Sequence, residues 1–325
     1  MSNIEKLAEG VIEGKLRPLS RAITLVESRK VEHYPDAAKL LEHILPHTGK
    51  AVRVGVSGVP GVGKSTFIES FGKVLTGKGL KVAVLAVDPS SQLTGGSILG
   101  DKTRMEELAR DENAFIRPSP SGDTLGGVAK KTRETMLLCE AAGYDVILVE
   151  TVGVGQSEIT VASMVDFFML LQLANAGDEL QGIKKGVMEI ADAIIINKAE
   201  GENRQRAEVA AGQYKNALHI LRPKSKNWSV PVKLCSALYH EGIPEIWDMI
   251  SDFRNKLTES GEFEEKRKQQ AVDWFWTLLM DDLKEMFLAD KNVQGMFAQV
   301  QDAVVKGIMP PGAASKRLLE LFKRH

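Results

Sequence analysis

Cysteine is nearly absent: Cys139 and Cys235 are the only two in 325 residues. Two thiols cannot build a disulfide framework. Neither sits in CxxC spacing, which excludes a zinc ribbon and a thioredoxin-type centre. Two reduced cysteines suit a cytosolic protein, the compartment expected here. Long apolar runs are missing too. The most apolar window, 167–177, is far shorter than the roughly 20 residues a spanning helix needs, so no membrane association is expected. The N-terminus, MSNIEKLAEGVIEGK, mixes Glu with Lys and has no apolar centre. It fits neither a secretory signal nor an Arg-rich, acid-poor transit peptide. Charge of one sign is not in excess. The 42 basic and 43 acidic side chains disfavour a broad nucleic-acid-binding face, though not a local basic patch. There is no internal repeat and no low-complexity segment. With 43% hydrophobic and 26% charged residues, the composition is that of a globular protein rather than a disordered one.

The length suggests about two domains at roughly 100–200 residues each, and the pattern divides into three zones. In residues 1–49, apolar positions at Ile4, Leu7, Val11 and Ile12, at Ile23, Leu25 and Val26, and at Leu40, Leu41, Ile44 and Leu45 have helical spacing. Pro35 suits a helix start and Gly49 a stop. Residues 50–249 alternate β-rich runs with helical stretches. The runs are VRVGVS (52–57), KVAVLAV (81–87), DVILVE (145–150), DFFMLLQL (166–173), DAIIIN (192–197) and PVKLCSA (231–237). Helical patterns fall between them at 64–75, 126–142 and 202–221. Continuously apolar strands alternating with helices predict an α/β fold with a mostly parallel, doubly wound sheet. Ligands then bind at the carboxyl ends of the strands. Residues 250–325 carry no strand signal and read as a helical extension. Val272, Phe275, Trp276, Leu279, Leu283, Met286 and Phe287 repeat at three and four residues. Further helices are expected at 293–306 and 313–323, with Pro310, Pro311 and Gly312 between them.

The strongest chemical signal is Gly58-Val59-Pro60-Gly61-Val62-Gly63-Lys64-Ser65, followed by Thr66. It matches GxxxxGK[ST] between a strand and a helix, the context a phosphate-binding loop requires. Glycines let backbone N–H groups converge on phosphate oxygens, and the helix N-terminus adds partial positive charge. Lys64 is expected to reach the β- and γ-phosphates and Ser65 to ligate Mg²⁺. The fold is thus a P-loop NTPase.

Base choice rests on Asn197-Lys198-Ala199-Glu200 after the strand DAIIIN. The guanine-selecting pattern of GTPases is NKxD, whose carboxylate accepts from guanine N1–H and the 2-amino group. Adenine offers neither donor, so it would leave a buried carboxylate unpaired. Here the acid is one methylene longer. The next strand ends in Ser236-Ala237-Leu238, which fits a guanine-backing SA[KL] loop. Three acids are candidates for Mg²⁺ and the attacking water. Asp88 ends the second strand. Asp101 opens a helical run and also fits an N-cap. Glu150 stands where a Walker B acid is expected. Gly153, in Glu150-Thr151-Val152-Gly153, takes the place of the glycine of a DxxG switch and can offer its N–H to the γ-phosphate. The segments 88–103 and 177–186 read either as surface loops or as nucleotide-sensing switches. His43 and His47 lack a nearby third ligand, and nothing resembles a Ser-His-Asp set.

Four stretches in order, VGVSGVPGVGKST, VLAVDPSSQLTGGSILGDKTRM, VILVETVGVGQSE and QGIKKGVMEIAD, resemble the G-protein chaperones of methylmalonyl-CoA mutase, the MeaB/MMAA/ArgK family. The resemblance covers about residues 17–256. It implies a SIMIBI-type G domain and a C-terminal helical dimerisation extension. It implies a homodimer that hydrolyses GTP slowly with Mg²⁺, gates adenosylcobalamin loading into the mutase and protects it. The cobalamin adenosyltransferase is a further implied partner; no nucleic acid is. In these terms Lys64, Asp88, Glu150 and Gly153 serve catalysis. Residues Pro60, Gly61, Val62, Gly63, Lys64, Ser65 and Thr66, with Asn197, Lys198, Glu200, Ser236, Ala237 and Leu238, hold GTP or GDP. Ser65, Asp88, Asp101 and Glu150 serve the metal. Glu200 departs from the family's usual aspartate. Two alternatives are a metallochaperone GTPase, whose relatives carry Cys- or His-rich tracts missing here, and a P-loop small-molecule kinase.

Overall fold

The computed structural model describes residues 2–87, 105–118, 125–151, 156–174 and 185–323. Asp88, Asp101 and Gly153, with most of the two suspected switch segments, lie outside them. The chain folds as two compact units, Met1–Lys266 and Arg267–His325.

The first unit opens with helices α1 (Asn3–Ile12), α2 (Leu16–Val26) and α3 (Tyr34–Ile44). A capping box starts α1: Glu5 N donates to Ser2 Oγ, and Ser2 N donates to Glu5 Oε2 at 2.8 Å. The three helices bury Val11, Leu19, Ile23, Leu40 and Ile44 against Leu138 and Ala141. Those two belong to α6 (Leu125–Ala141), which also lies under the sheet. The N-terminal helices are therefore packed through α6 onto the strands.

The chain continues through β1 (Val52–Gly58), α4 (Lys64–Gly77), β2 (Val82–Val87), α5 (Glu106–Ala109), β3 (Ala114–Arg117), α6 and β4 (Val146–Thr151). Then come α7 (Gln156–Ala162), β5 (Phe167–Leu173), α8 (Lys185–Ile190), β6 (Ala193–Asn197), α9 (Asn203–Ile220), β7 (Val232–Leu234) and α10 (Ile243–Glu259). Among the described residues seven strands form one sheet in the order β3-β2-β4-β1-β5-β6-β7, and every pairing is parallel. The six expected strands are all present. The seventh, β3, is an edge strand that the sequence pattern did not reveal.

Strand periodicity separates two cores. Val52, Val54 and Val56 of β1 and Phe167, Met169 and Leu171 of β5 face α4 and α10. Ile147 and Val149 of β4 and Phe168 and Leu170 of β5 face α6, α7 and α9. Both faces are covered, which is why these strands read as unbroken apolar runs. Winding runs outward from β1 to β2 and β3, returns to β4, then crosses to β5 on the other side of β1. The carboxyl end of β1 therefore lies where the winding reverses, the position at which doubly wound sheets bind ligands.

The second unit contains most of α11 (Glu262–Ala289), then α12 (Lys291–Val305) and α13 (Pro311–Phe322). Its core is small: Val293, Val300, Ala314 and Leu318, with Phe287 and Phe322 edge-to-face at 5.5 Å. Phe275, Trp276, Met280 and Met286 of α11 stay 52–60% exposed. No helix among the described residues is long and apolar enough to cross a membrane.

Candidate nucleotide site

The loop from Gly58 to Gly63 leaves β1 and enters α4 at Lys64. Two glycines are required by the packing. A Cβ on Gly58 would stand 2.5 Å from the Leu171 carbonyl oxygen of β5. Gly63 has φ +92°, and its Cβ would stand 2.9 Å from Asn197 Nδ2. The first amides of α4 have no carbonyl a turn earlier to accept them, so the helix presents donors and a partial positive charge at this point. Val62 is buried while Pro60, Gly61 and Thr66 are exposed. The loop thus has one side anchored and one side open.

Lys64 Nζ donates to the carbonyl oxygens of Gly58, at 2.8 Å, and Val59, at 3.3 Å. The side chain is curled back over the loop whose phosphate it is expected to hold. Burial pushes its pKa below that of an ordinary lysine, and the charges of Glu150 and Glu158 pull it back up. Anionic phosphate oxygens arriving in the loop would act in the same direction as these two carboxylates.

Glu150 lies near the end of β4, beside β1. Ser65 Oγ donates to Glu150 Oε1 at 3.3 Å, so the helix start and the β4 end lie together. Behind them Thr151 Oγ1 donates to Ser57 Oγ at 2.8 Å, both buried. A hydroxyl and a carboxylate are hard oxygen donors, and they fit Mg²⁺, which takes few protein ligands and keeps water and substrate phosphate as the rest. Among the described residues no group of three His, Cys, Asp or Glu side chains could by itself hold a metal. That includes His43 and His47.

The base side is built from β6, β7 and the loops that follow. Asn197, 1% exposed, joins three segments. Its Nδ2 donates to Val62 O at 2.9 Å, and its Oδ1 accepts from Ala237 N at 3.1 Å and Cys235 Sγ at 3.4 Å. Lys198, at φ +59°, sends Nζ to Gly61 O at 2.9 Å. The two loops are also tied through the backbone, Ala199 N to Cys235 O at 3.0 Å. Ser236 and Ala237 are buried and Leu238 is exposed. Glu200 Oε2 is buried with no hydrogen-bond partner among the described residues. A carboxylate oxygen left so is costly unless a ligand donor completes it.

The structure thus gathers Pro60 to Thr66, Glu150, Asn197, Lys198, Glu200, Ser236 and Ala237 around the carboxyl ends of β1, β4, β6 and β7. It also adds residues to which the sequence reading gives no role. Glu158, in the first turn of α7, is 5% exposed and acts on Lys64. Cys235, its thiol pushed up to about 12 by burial and by the Glu200 charge, is an inert contact of Asn197. His240, at φ +59°, has Nδ1 2.6 Å from Ser70 Oγ of α4 and fastens the base-side loop. Glu158 closes the stretch VILVETVGVGQSE, but its action on Lys64, like the contacts of Cys235 and His240, depends on which strands lie side by side.

A family model described as "Methylmalonyl Co-A mutase-associated GTPase MeaB" matches residues 19–292. The Escherichia coli (strain K12) protein "GTPase ArgK" is 50% identical over 99% of this chain and 98% of its own. The Mus musculus protein "Methylmalonic aciduria type A homolog, mitochondrial" is 46% identical over 99% of this chain and 80% of its own. A solved structure titled "Crystal structure of LAO/AO transport system kinase" superposes with a TM-score of 0.81, at 43% identity and 99% coverage of both chains.

Proposed function

The chain belongs to the methylmalonyl-CoA mutase-associated GTPase MeaB family, and we propose that within it the protein is a GTP-hydrolysing chaperone of that mutase, gating adenosylcobalamin loading and protecting the loaded enzyme. The observation that carries the base choice is the buried, unpartnered Glu200 Oε2 beside the Asn197 junction. Guanine offers the two donors that such a carboxylate accepts, and adenine offers none there. One methylene more than aspartate lengthens the reach without changing the charge. The exposed Lys198 stem lies across Gly61, where it would flank the base.

At the other end, Lys64 would exchange two loop carbonyls for β- and γ-phosphate oxygens. A cation between phosphates and backbone amides stabilises the charge that develops in phosphoryl transfer. Ser65 and Glu150 would hold Mg²⁺, which supplies charge neutralisation on the phosphates. Asp88, Asp101 and Gly153 complete the proposed set for metal, water and γ-phosphate. The sequence offers no arginine finger and only Gln156 as a candidate to position the attacking water, so slow turnover without a partner is proposed. Gating of the mutase then follows as a difference in affinity between the GTP and GDP forms.

The apolar stripe Val272, Phe275, Trp276, Met280 and Met286 on α11 supports a homodimer, since patches of this kind cover themselves with a second copy. The cytoplasm is the proposed compartment, and the cobalamin adenosyltransferase a second partner. The chaperone reading is tested by following mutase activity with time. Protein plus GTP should extend the active lifetime of the mutase, and the Lys64→Ala variant should not. Equal lifetimes with and without the protein would remove the mutase as its client.

A further inference from the structure

A large cleft among the described residues lies away from the phosphate loop. It has a volume of about 1190 Å³ and sits between α1, α2, the end of β3 and α6. From the sheet order, β3 is three strands from β1, so its carboxyl end is roughly 14 Å from the phosphate loop along the same sheet edge. The cleft is a separate place.

Its charge is one-sided in a protein that is nearly neutral overall. Among its described lining residues, Lys6, Arg17, Arg21, Arg29, Arg117 and Lys131 are basic and Glu27 is the one carboxylate. Glu27 is already engaged by Arg117, whose Nε donates to Glu27 Oε1 at 3.3 Å and whose Nη2 makes a second contact. That pair joins the end of α2 to the end of β3 and forms one wall. Lys6, Arg17 and Arg21 have no ion pair or side-chain hydrogen bond among the described residues. Arg17, Ser20, Arg21, Thr24 and Ser28 stand three and four apart and share one face in and just beyond α2. Cations collected on a concave wall repel one another unless an anion sits among them. The arginine fork matches a phosphate in two-point fashion, which a lone lysine does not.

The floor is of another kind. Ile4, Leu7, Pro18 and Leu25 line the same cleft and are only partly buried. A bare ion would leave this surface wet, whereas an organic body would cover it. Ligand clefts for such molecules run to about 1,000 Å³, so the space is sufficient.

We propose that this cleft is a second ligand site, for an organic polyphosphate: at least two phosphate groups on Arg17, Arg21 and Lys6, and a ring-bearing or apolar body on the floor. The site does not depend on the nucleotide assignment.

The test is calorimetric titration of the full chain, saturated with GDP and Mg²⁺, with adenosine 3′,5′-bisphosphate. This probe has no β-phosphate chain for the phosphate loop. Saturable one-to-one binding is expected, weakening as salt rises. Arg17→Ala/Arg21→Ala should weaken it about tenfold or more, a loss of about 1.4 kcal/mol per decade, while GDP affinity stays unchanged. The two arginines are exposed, so the variant should fold, which its thermal midpoint checks. Arg17→Gln/Arg21→Gln provides a second variant. Inorganic pyrophosphate should bind about tenfold more weakly than the bisphosphate, because it leaves the floor uncovered. Three results would overturn the proposal: no saturable binding at millimolar probe, binding indifferent to both double variants, or pyrophosphate binding as well as the nucleoside bisphosphate. Binding of a Glu-rich peptide in place of the bisphosphate would also overturn it and give the cleft to an acidic protein segment.

Discussion

Asn197 and Val62 are 135 residues apart in sequence, and a 2.9 Å hydrogen bond from Nδ2 to the carbonyl oxygen joins them. The other end of the same amide accepts from Ala237 N at 3.1 Å. One buried side chain therefore sets the distance between the phosphate-side loop and the base-side loop, and with it the length of nucleotide that fits. Replacing it by Ala leaves a buried carbonyl and a buried amide without partners. Asn197→Ala should lower unfolding stability by about 2–4 kcal/mol and weaken GTP and GDP alike by about tenfold or more. Denaturant unfolding and nucleotide titration on the same preparation check both. Unchanged stability would remove Asn197 from its joining role.

Lys64 separates folding from chemistry. Its ammonium leaves water for two carbonyls at some cost, as its lowered pKa shows. Lys64→Ala should leave the fold intact and reduce GTP turnover by about a hundredfold or more, the scale of a lost transition-state charge contact. A folded variant with wild-type turnover would refute the phosphate-loop assignment.

Glu200 should act on base selectivity rather than on phosphate binding. Glu200→Ala is expected to weaken GTP by about tenfold to a hundredfold and ATP hardly at all. Glu200→Asp should preserve the preference for GTP, since charge and acceptors remain. Competition binding measures all three. Equal losses for the two nucleotides in the Ala variant would take Glu200 out of base reading.

Glu134 gives a dependence on pH. It is 8% exposed on α6, and burial raises its pKa from 4.5 to about 7, with Lys130 and Lys131 opposing. Between those values the fold keeps a proton that the unfolded chain has released. Stability therefore falls as pH rises through that window, and above about 7 the loss from this group is complete. Glu134→Gln removes the loss. Its gain over wild type should be small at pH 4.5 and on the order of 2 kcal/mol at pH 8. Denaturation midpoints at the two pH values measure it, and a gain independent of pH would exclude the buried carboxyl as the cause.

How much of this was legible in the sequence depends on distance along the chain. Five of the six recognised strands are buried along most of their length because both sheet faces are covered, so their sequences announce burial directly; the sixth, β7, is an edge strand with Lys233 exposed. Gly58 to Ser65 is contiguous, as is Asn197 to Glu200, and each reports its own chemistry. The strand β3 is four residues at the sheet edge with only Ile116 buried, too short for a period to show. The Asn197 junction, the influence of Glu158 on Lys64 and the contact of His240 with Ser70 each depend on which strands lie side by side. Only the order β4-β1-β5-β6-β7 brings those residues together. The basic cleft escaped for the same reason: its arginines come from α2 and β3, and the overall charge of −1 conceals their collection on one wall.

The proposed activity is that of a guanine-specific hydrolase that answers to the mutase. The most direct measurement is GTP and ATP turnover by the purified protein, each with and without methylmalonyl-CoA mutase. Slow GTP turnover that rises when mutase is added is expected, with negligible ATP turnover throughout. ATP turnover equal to or above that of GTP would contradict the base assignment, and GTP turnover indifferent to mutase would contradict the client.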